Sequence, residues 1–217
     1  MLLLLLLVAG GAGGWAYAEG TSGPQLSGAD PSPVVAADPA IPFTPPEVTR
    51  PDCELPPLPQ QLPTHDEKLG VPKQSGIVVP IPNAWERTNL SGDDQARWTT
   101  DDDLSGCYSL RVQVLDEART LSQKVQARTV ELPEDPRVSG FELIGTTGDT
   151  LKAEFILEGY SKLTVIRWVS LDGDGLADVE IAATGRKIDE RGMEALVAQI
   201  ATDVRRQPPP APKAARQ

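Results

Sequence analysis

One histidine, two cysteines and a scatter of carboxylates are all that this chain of 217 residues offers for acid–base, nucleophilic or metal chemistry. His65 stands in a proline-rich stretch ahead of the residues that pattern as a domain. No Ser–His or Cys–His pair is therefore expected inside that domain, nor a His-ligated metal centre. A glycosidase-type mechanism would need only two carboxyl groups a few ångströms apart. The acidic residues cluster instead at Asp93-Asp94, Asp101-Asp102-Asp103 and Glu134-Asp135, which read as solvated loops. Asp172-Gly173-Asp174-Gly175-Leu176-Ala177-Asp178 alternates aspartate with glycine as calcium loops do. A full loop needs about six oxygens, including a carboxylate near its twelfth position, and that position here is Ala183 in a strand-like run. A hairpin turn is the expectation, with weak calcium binding as its rival; no catalytic residue, metal set or cofactor is expected.

The tryptophans and cysteines remain. Trp85 follows an apolar run and reads as core. Trp98 and Trp168 lie beside Arg97 and Arg167 on strand-like segments. In 162–170, Trp168 shares a side with Thr164 and Ile166, opposite Leu163, Val165 and Val169. If the second side meets the helices, Trp168 lies on an open sheet face, and Trp98, Trp168 and Arg167 become the expected contacts for an apolar or sugar-bearing ligand. Packing beneath the stalk or a loop is the competing reading. Cys53 and Cys107 are expected to pair in an exported protein, closing a loop of about 55 residues and stabilising by about 4 kcal/mol in the chain-entropy model. Two unpaired thiols would be the alternative.

These residues must be positioned by the segments around them. Ile77–Ile81 is a short apolar run ended by Pro82-Asn83, Gln95–Thr99 leans to strand, and Tyr108–Leu115 alternates Tyr108, Leu110, Val112 and Val114 against Ser109, Arg111 and Gln113. Leu121, Val125 and Thr129 then set a helical period, capped by Thr120 or Ser122 and stopped before Pro133. Strand signals resume at 140–145, 151–157, 162–170 and 177–183. Met193, Leu196, Val197, Ile200 and Val204 form the apolar stripe of a closing helix. The order predicts an α+β domain: a mostly antiparallel sheet of about six strands covered on one face by two helices.

Thirteen of the 21 prolines fall between Pro24 and Pro72, which leaves residues 76–206 as the expected folded domain and 207–217 as a disordered tail. Residues 19–75 read as a polyproline-rich stalk that could span at most about 180 Å. Leu2–Ala18 carries no charge and would span roughly 26 Å as a helix. It is expected to anchor the protein in the cell membrane as a single pass with the domain extracytoplasmic. Ala16-Tyr17-Ala18 leaves a cleaved, secreted form as the alternative. Eight acidic and three basic residues fall through Ser75, and 23 and 17 after it, so the net charge of −11 is shared along the chain. Binding to nucleic acid is not expected.

Val78-Val79-Pro80-Ile81-Pro82 followed by Ala84-Trp85, a helix after the second long strand, a meander and a C-terminal amphipathic helix resemble the actinobacterial LpqN-type lipoprotein family over residues 76–206. The resemblance implies a PsbP-like sandwich and a non-enzymatic envelope protein associated with cell-wall lipid trafficking. This chain departs from the family in lacking the lipobox cysteine, so its anchor would be the helix. A lipid or glycolipid ligand is the leading expectation; an adaptor that positions a membrane-protein complex is the alternative.

Overall fold

The strand Tyr160–Val169 sends Leu163 and Val165 to one side and Ile166 and Trp168 to the other, and all four are buried. A strand buried on both sides requires cover on both faces of its sheet. The computed structural model describes residues 48, 50–70, 76–88, 93–100 and 107–207. The chain divides into units 1–43 and 44–217, and every described residue belongs to the second. The expected anchor at 1–18, much of the stalk and the tail from 208 lie outside the described residues. Among those residues no helix is long and apolar enough to cross a membrane.

The elements run β1 (Thr64–Leu69), β2 (Ile77–Pro82), β3 (Trp85–Thr88), β4 (Gln95–Thr100), β5 (Ser109–Val114), α1 (Leu121–Glu134), β6 (Val138–Thr146), β7 (Thr150–Leu157), β8 (Tyr160–Val169), β9 (Val179–Gly185), a 3-10 turn (Lys187–Asp189), α2 (Glu190–Asp203) and β10 (Arg205–Arg206). Seven strands form one antiparallel sheet in the order β3-β4-β5-β9-β8-β7-β6, and β1-β2-β10 form a second. The α+β class with two helices and antiparallel sheets is as expected. The arrangement corrects two details: the main sheet has seven strands rather than about six, and the helices lie on opposite faces. One face packs Leu110, Leu163, Val165 and Ile181 against β2 and against Met193, Leu196 and Ile200 of α2. The other packs Leu151, Ala153, Ile166 and Trp168 beneath Val125 of α1. α1 opens on a reciprocal cap in which Gln123 N donates to Thr120 Oγ1 (3.3 Å) and Thr120 N to Gln123 Oε1 (2.9 Å). It runs one residue past Pro133 rather than stopping before it as expected; the proline has no N–H to donate to the preceding turn, and the helix ends at the next residue.

The folded unit takes in chain from Arg50 onward, not from Gly76 as expected. His65 lies in β1, in hydrogen-bond contact with Asn83 and Glu67 (3.3 Å each). Ahead of β1, residues 50–62 form an irregular strap. Prolines deprive such a segment of amide donors and leave carbonyls in surplus, and one buried guanidinium answers them. Arg186 donates to the carbonyls of Cys53 (2.5 Å), Leu55 (2.8 Å) and Pro56 (3.1 Å) while its Nε and Nη2 hold Asp189 (2.9 Å each). Asp189, fully buried, accepts Leu58 N at 2.9 Å. Leu58 enters the core, and a Cβ on Gly192 of α2 would collide with its carbonyl, so this helix position tolerates only glycine. The Cys53–Cys107 disulfide, expected from the sequence, ties the same strap to the approach to β5.

Truncating Arg186 strands a buried carboxylate and three carbonyls. Arg186→Met should therefore lower unfolding free energy by about 3–5 kcal/mol. Arg205→Met, which removes an exposed pair with Asp66, should change it by less than about 1 kcal/mol. Guanidinium denaturation followed by tryptophan fluorescence compares the two, and equal losses would contradict this account of the strap.

Candidate functional site

In the antiparallel register of β4 and β5, Arg97 lies directly opposite Arg111. Like charges in that position repel, so the fold carries an unfavourable pair that its neighbours must accommodate. The alternation that puts Ala96, Trp98, Leu110 and Val112 into the core forces both arginines onto the other face, the side of α1. There α1 packs chiefly over β6, β7 and β8, and a cleft opens beside Arg97 and Arg111.

One carboxylate organises it. Glu180 of β9 is 3% exposed. It binds Nη2 of Arg111, accepts Arg128 Nη2 from α1 at 2.8 Å on each oxygen, and accepts Trp168 Nε1 at 3.1 Å. Burial pushes its carboxyl up, but the two guanidinium groups and these hydrogen bonds outweigh that and hold it below its ordinary 4.5. Arg137 is held by Asp135, at the end of α1, through Nε (3.0 Å) and Nη2 (2.7 Å), and Asp135 is drawn down to about 2 by those bonds. Arg97 has no such partner: among the described residues it makes no ion pair, and its Nη2 donates only to Ser109 Oγ at 3.2 Å. Burial, then repulsion from Arg111 and Arg137, lowers its pKa from the ordinary arginine value, with Glu158 opposing.

The cleft has a volume of about 400 Å³ and is lined by Arg97, Arg111, Arg128 and Arg137 together with Leu132, Phe155 and Leu157. A notch of about 110 Å³ continues from it, sharing Arg97, Arg137, Ser109 and Thr184 and reaching Lys162, Tyr160 and Glu158. Lys162 is buried there, donating to the Cys107 carbonyl at 3.0 Å with its ammonium 5.2 Å from the centroid of the Tyr160 ring. Arg50 of the strap covers the same ring at 5.0 Å. Arginine planes, hydroxyls and an apolar wall together can hold a group that is anionic at one end and apolar at the other.

The residues expected to contact ligand are not brought together. Trp168 does lie opposite Leu163 and Val165, but that face is covered: α1 encloses the indole to 1% exposure and Glu180 takes its N–H. Trp168→Ala is thus a core truncation costing about 3–5 kcal/mol. Trp98 is fully buried on the α2 side, with its Nε1 lacking a partner among the described residues. The open face expected for Trp168 is therefore corrected to a core position beneath α1, and Trp98, expected as a ligand contact, is a core residue on the opposite side of the sheet. Arg167 lines a third cavity, about 460 Å³, between the β6–β7 end and α2. It is bound to Asp149 at 2.9 Å, and its neighbour Lys152 is bound to Glu190 and Glu194. Because its cations are matched by carboxylates, that cavity offers less to a ligand than the arginine cleft.

The aspartate-glycine segment is a turn between β8 and β9, with Gly173 and Gly175 at positive φ. Asp174 accepts Leu176 N and Ser170 Oγ, Asp178 accepts Leu171 N, and Arg206 bridges Asp172 and Asp178. Among the described residues, no three His, Cys, Asp or Glu side chains are placed to share a metal. Comparison of the chain with protein-family models and with curated proteins finds no match.

Glu180→Gln keeps the shape of the side chain and removes its charge, leaving Arg111 uncompensated and Arg128 with Glu131 alone at 3.4 Å; the expected loss is about 3–5 kcal/mol near neutral pH. The folded carboxyl titrates below 4.5, so its contribution is complete above that value and is lost as pH falls through the depressed one. Denaturation of wild type and variant at about pH 7 and about pH 3 should show the gap narrowing in acid. A gap of constant size would contradict the charged role.

Proposed function

We propose that this chain is a non-enzymatic, membrane-tethered cell-envelope protein whose domain binds an amphiphilic envelope ligand, a lipid or glycolipid, in the arginine-walled cleft. The observation that carries the reading is the juxtaposition of Arg97, without a carboxylate partner among the described residues, and the apolar wall of Phe155 and Leu157 in one open cavity. Its volume of about 400 Å³ falls within the roughly 300–1,000 Å³ of small-molecule sites. The LpqN-type resemblance supports the envelope setting and a PsbP-like sandwich, in which helices cover both faces of an antiparallel sheet. Anchoring through Leu2–Ala18 belongs to the same proposal.

A second reading, an adaptor for a membrane-protein complex, is favoured by β6, an edge strand among the described residues. Leu143 and Ile144 on that strand are 41% and 42% exposed, and Val130 of α1 is 56% exposed. Such an edge can accept another chain.

Native mass spectrometry of the full protein purified from its own host separates the two. An adduct of lipid mass should remain on the wild type and be absent from Ser109→Trp, which fills the cleft, with both proteins folded by circular dichroism. A wild-type protein that carries no small ligand and copurifies with a stoichiometric protein partner would overturn the binding reading in favour of the adaptor.

A further inference from the structure

The charge inventory of the cleft says more than that it is polar. In the larger cavity four arginines, at 97, 111, 128 and 137, are balanced among the described residues by three carboxylates, Glu131, Asp135 and Glu180. The notch adds Lys162 and Glu158, one charge of each sign. Among the described residues one positive charge, that of Arg97, is thus left without a carboxylate in a chain whose net charge is −11. We propose that the cleft selects its ligand by a phosphate monoester, seated between Arg97 and Arg137 at the junction of cleft and notch; this deepens the reading above and rests on it.

Two features point to phosphate rather than carboxylate. Planar guanidinium groups converging from two elements suit an anion with three oxygens, each able to accept in a different direction. Ser109, whose oxygen accepts from Arg97 Nη2, lines the junction with a hydroxyl hydrogen able to be donated to a remaining oxygen position. Arg97 and Arg111, which repel across β4 and β5, would then share a counter-charge that the protein itself supplies only to Arg111. Phosphate esters and free phosphate present the same oxygens, and the wall of Phe155 and Leu157 would add affinity only for an ester with an apolar chain.

The test is calorimetric titration of the full chain in neutral maltoside micelles with dihexanoyl phosphatidic acid, dihexanoyl phosphatidylcholine and inorganic phosphate. Phosphatidic acid should bind at least about tenfold more tightly than phosphatidylcholine. Arg97→Gln and the more exposed Arg137→Gln should each weaken phosphatidic acid by about tenfold or more while leaving phosphatidylcholine unchanged. Arg167→Gln, in the other cavity, should leave both unchanged. Equal binding of the two lipids overturns the phosphate proposal and leaves the amphiphile reading standing. Free phosphate binding as tightly as phosphatidic acid upholds the phosphate site and removes the amphiphile reading. Absence of binding by all three overturns both. Because Arg137 is at the surface, its variant still decides the matter should Arg97→Gln unfold.

Discussion

A buried carboxylate between two arginines and an indole holds this domain in its observed form. Glu180 joins β9, β5, β8 and α1 at a single point, through Arg111, Trp168 and Arg128. The charge is expensive to bury, and its partners repay that only because all are present at once. Its position fixes where α1 lies, over Trp168 and Ile166, with the cleft opening beside Arg97 and Arg111. Glu180, together with Glu131 on Arg128, neutralises Arg111 and Arg128, whereas Arg97 is left without a carboxylate among the described residues.

The other face is secured differently. There α2 and β2 close an apolar core, and the strap is fastened over it by Arg186, Asp189 and the disulfide. A proline-rich segment cannot join a sheet efficiently, since it lacks donors, but it can be bound by a side chain that has five. The strap therefore ends near the notch, where Arg50 covers Tyr160 and Cys107 forms part of the wall. The strap is thus fastened to the domain beside its candidate site.

Much of this was legible in the chain. The alternation at 108–115, the helical period from Leu121, the hairpin glycines and the apolar stripe of the closing helix each act through local spacing, and each element stands near its expected place. Cys53 and Cys107 pair as expected. What local spacing does not encode is which face a helix covers. Leu163, Val165, Ile166 and Trp168 occupy both phases of one strand, a signal of burial on both sides, and reading only one phase as buried left Trp168 on an open face. β1 escaped notice because Thr-His-Asp-Glu-Lys-Leu buries only its last residue and lies at the edge of a small sheet. The site itself depends on register: Arg97 and Arg111 are each unremarkable on the polar side of an alternating strand, and only their pairing across β4 and β5 makes them an unfavourable couple. Each was readable as flanked by core residues, and that was the available hint.

The account stands or falls on whether Arg97 faces a ligand. The most direct measurement is the Nε–Hε spectrum of the arginine side chains in the full protein, recorded with and without dihexanoyl phosphatidic acid and assigned by single substitutions. The account predicts that the signals of Arg97 and Arg137 shift on addition while that of Arg186, sealed beneath the strap, does not. Unchanged Arg97 and Arg137 signals at saturating lipid, or shifts confined to the surface arginines 205 and 206, would contradict it.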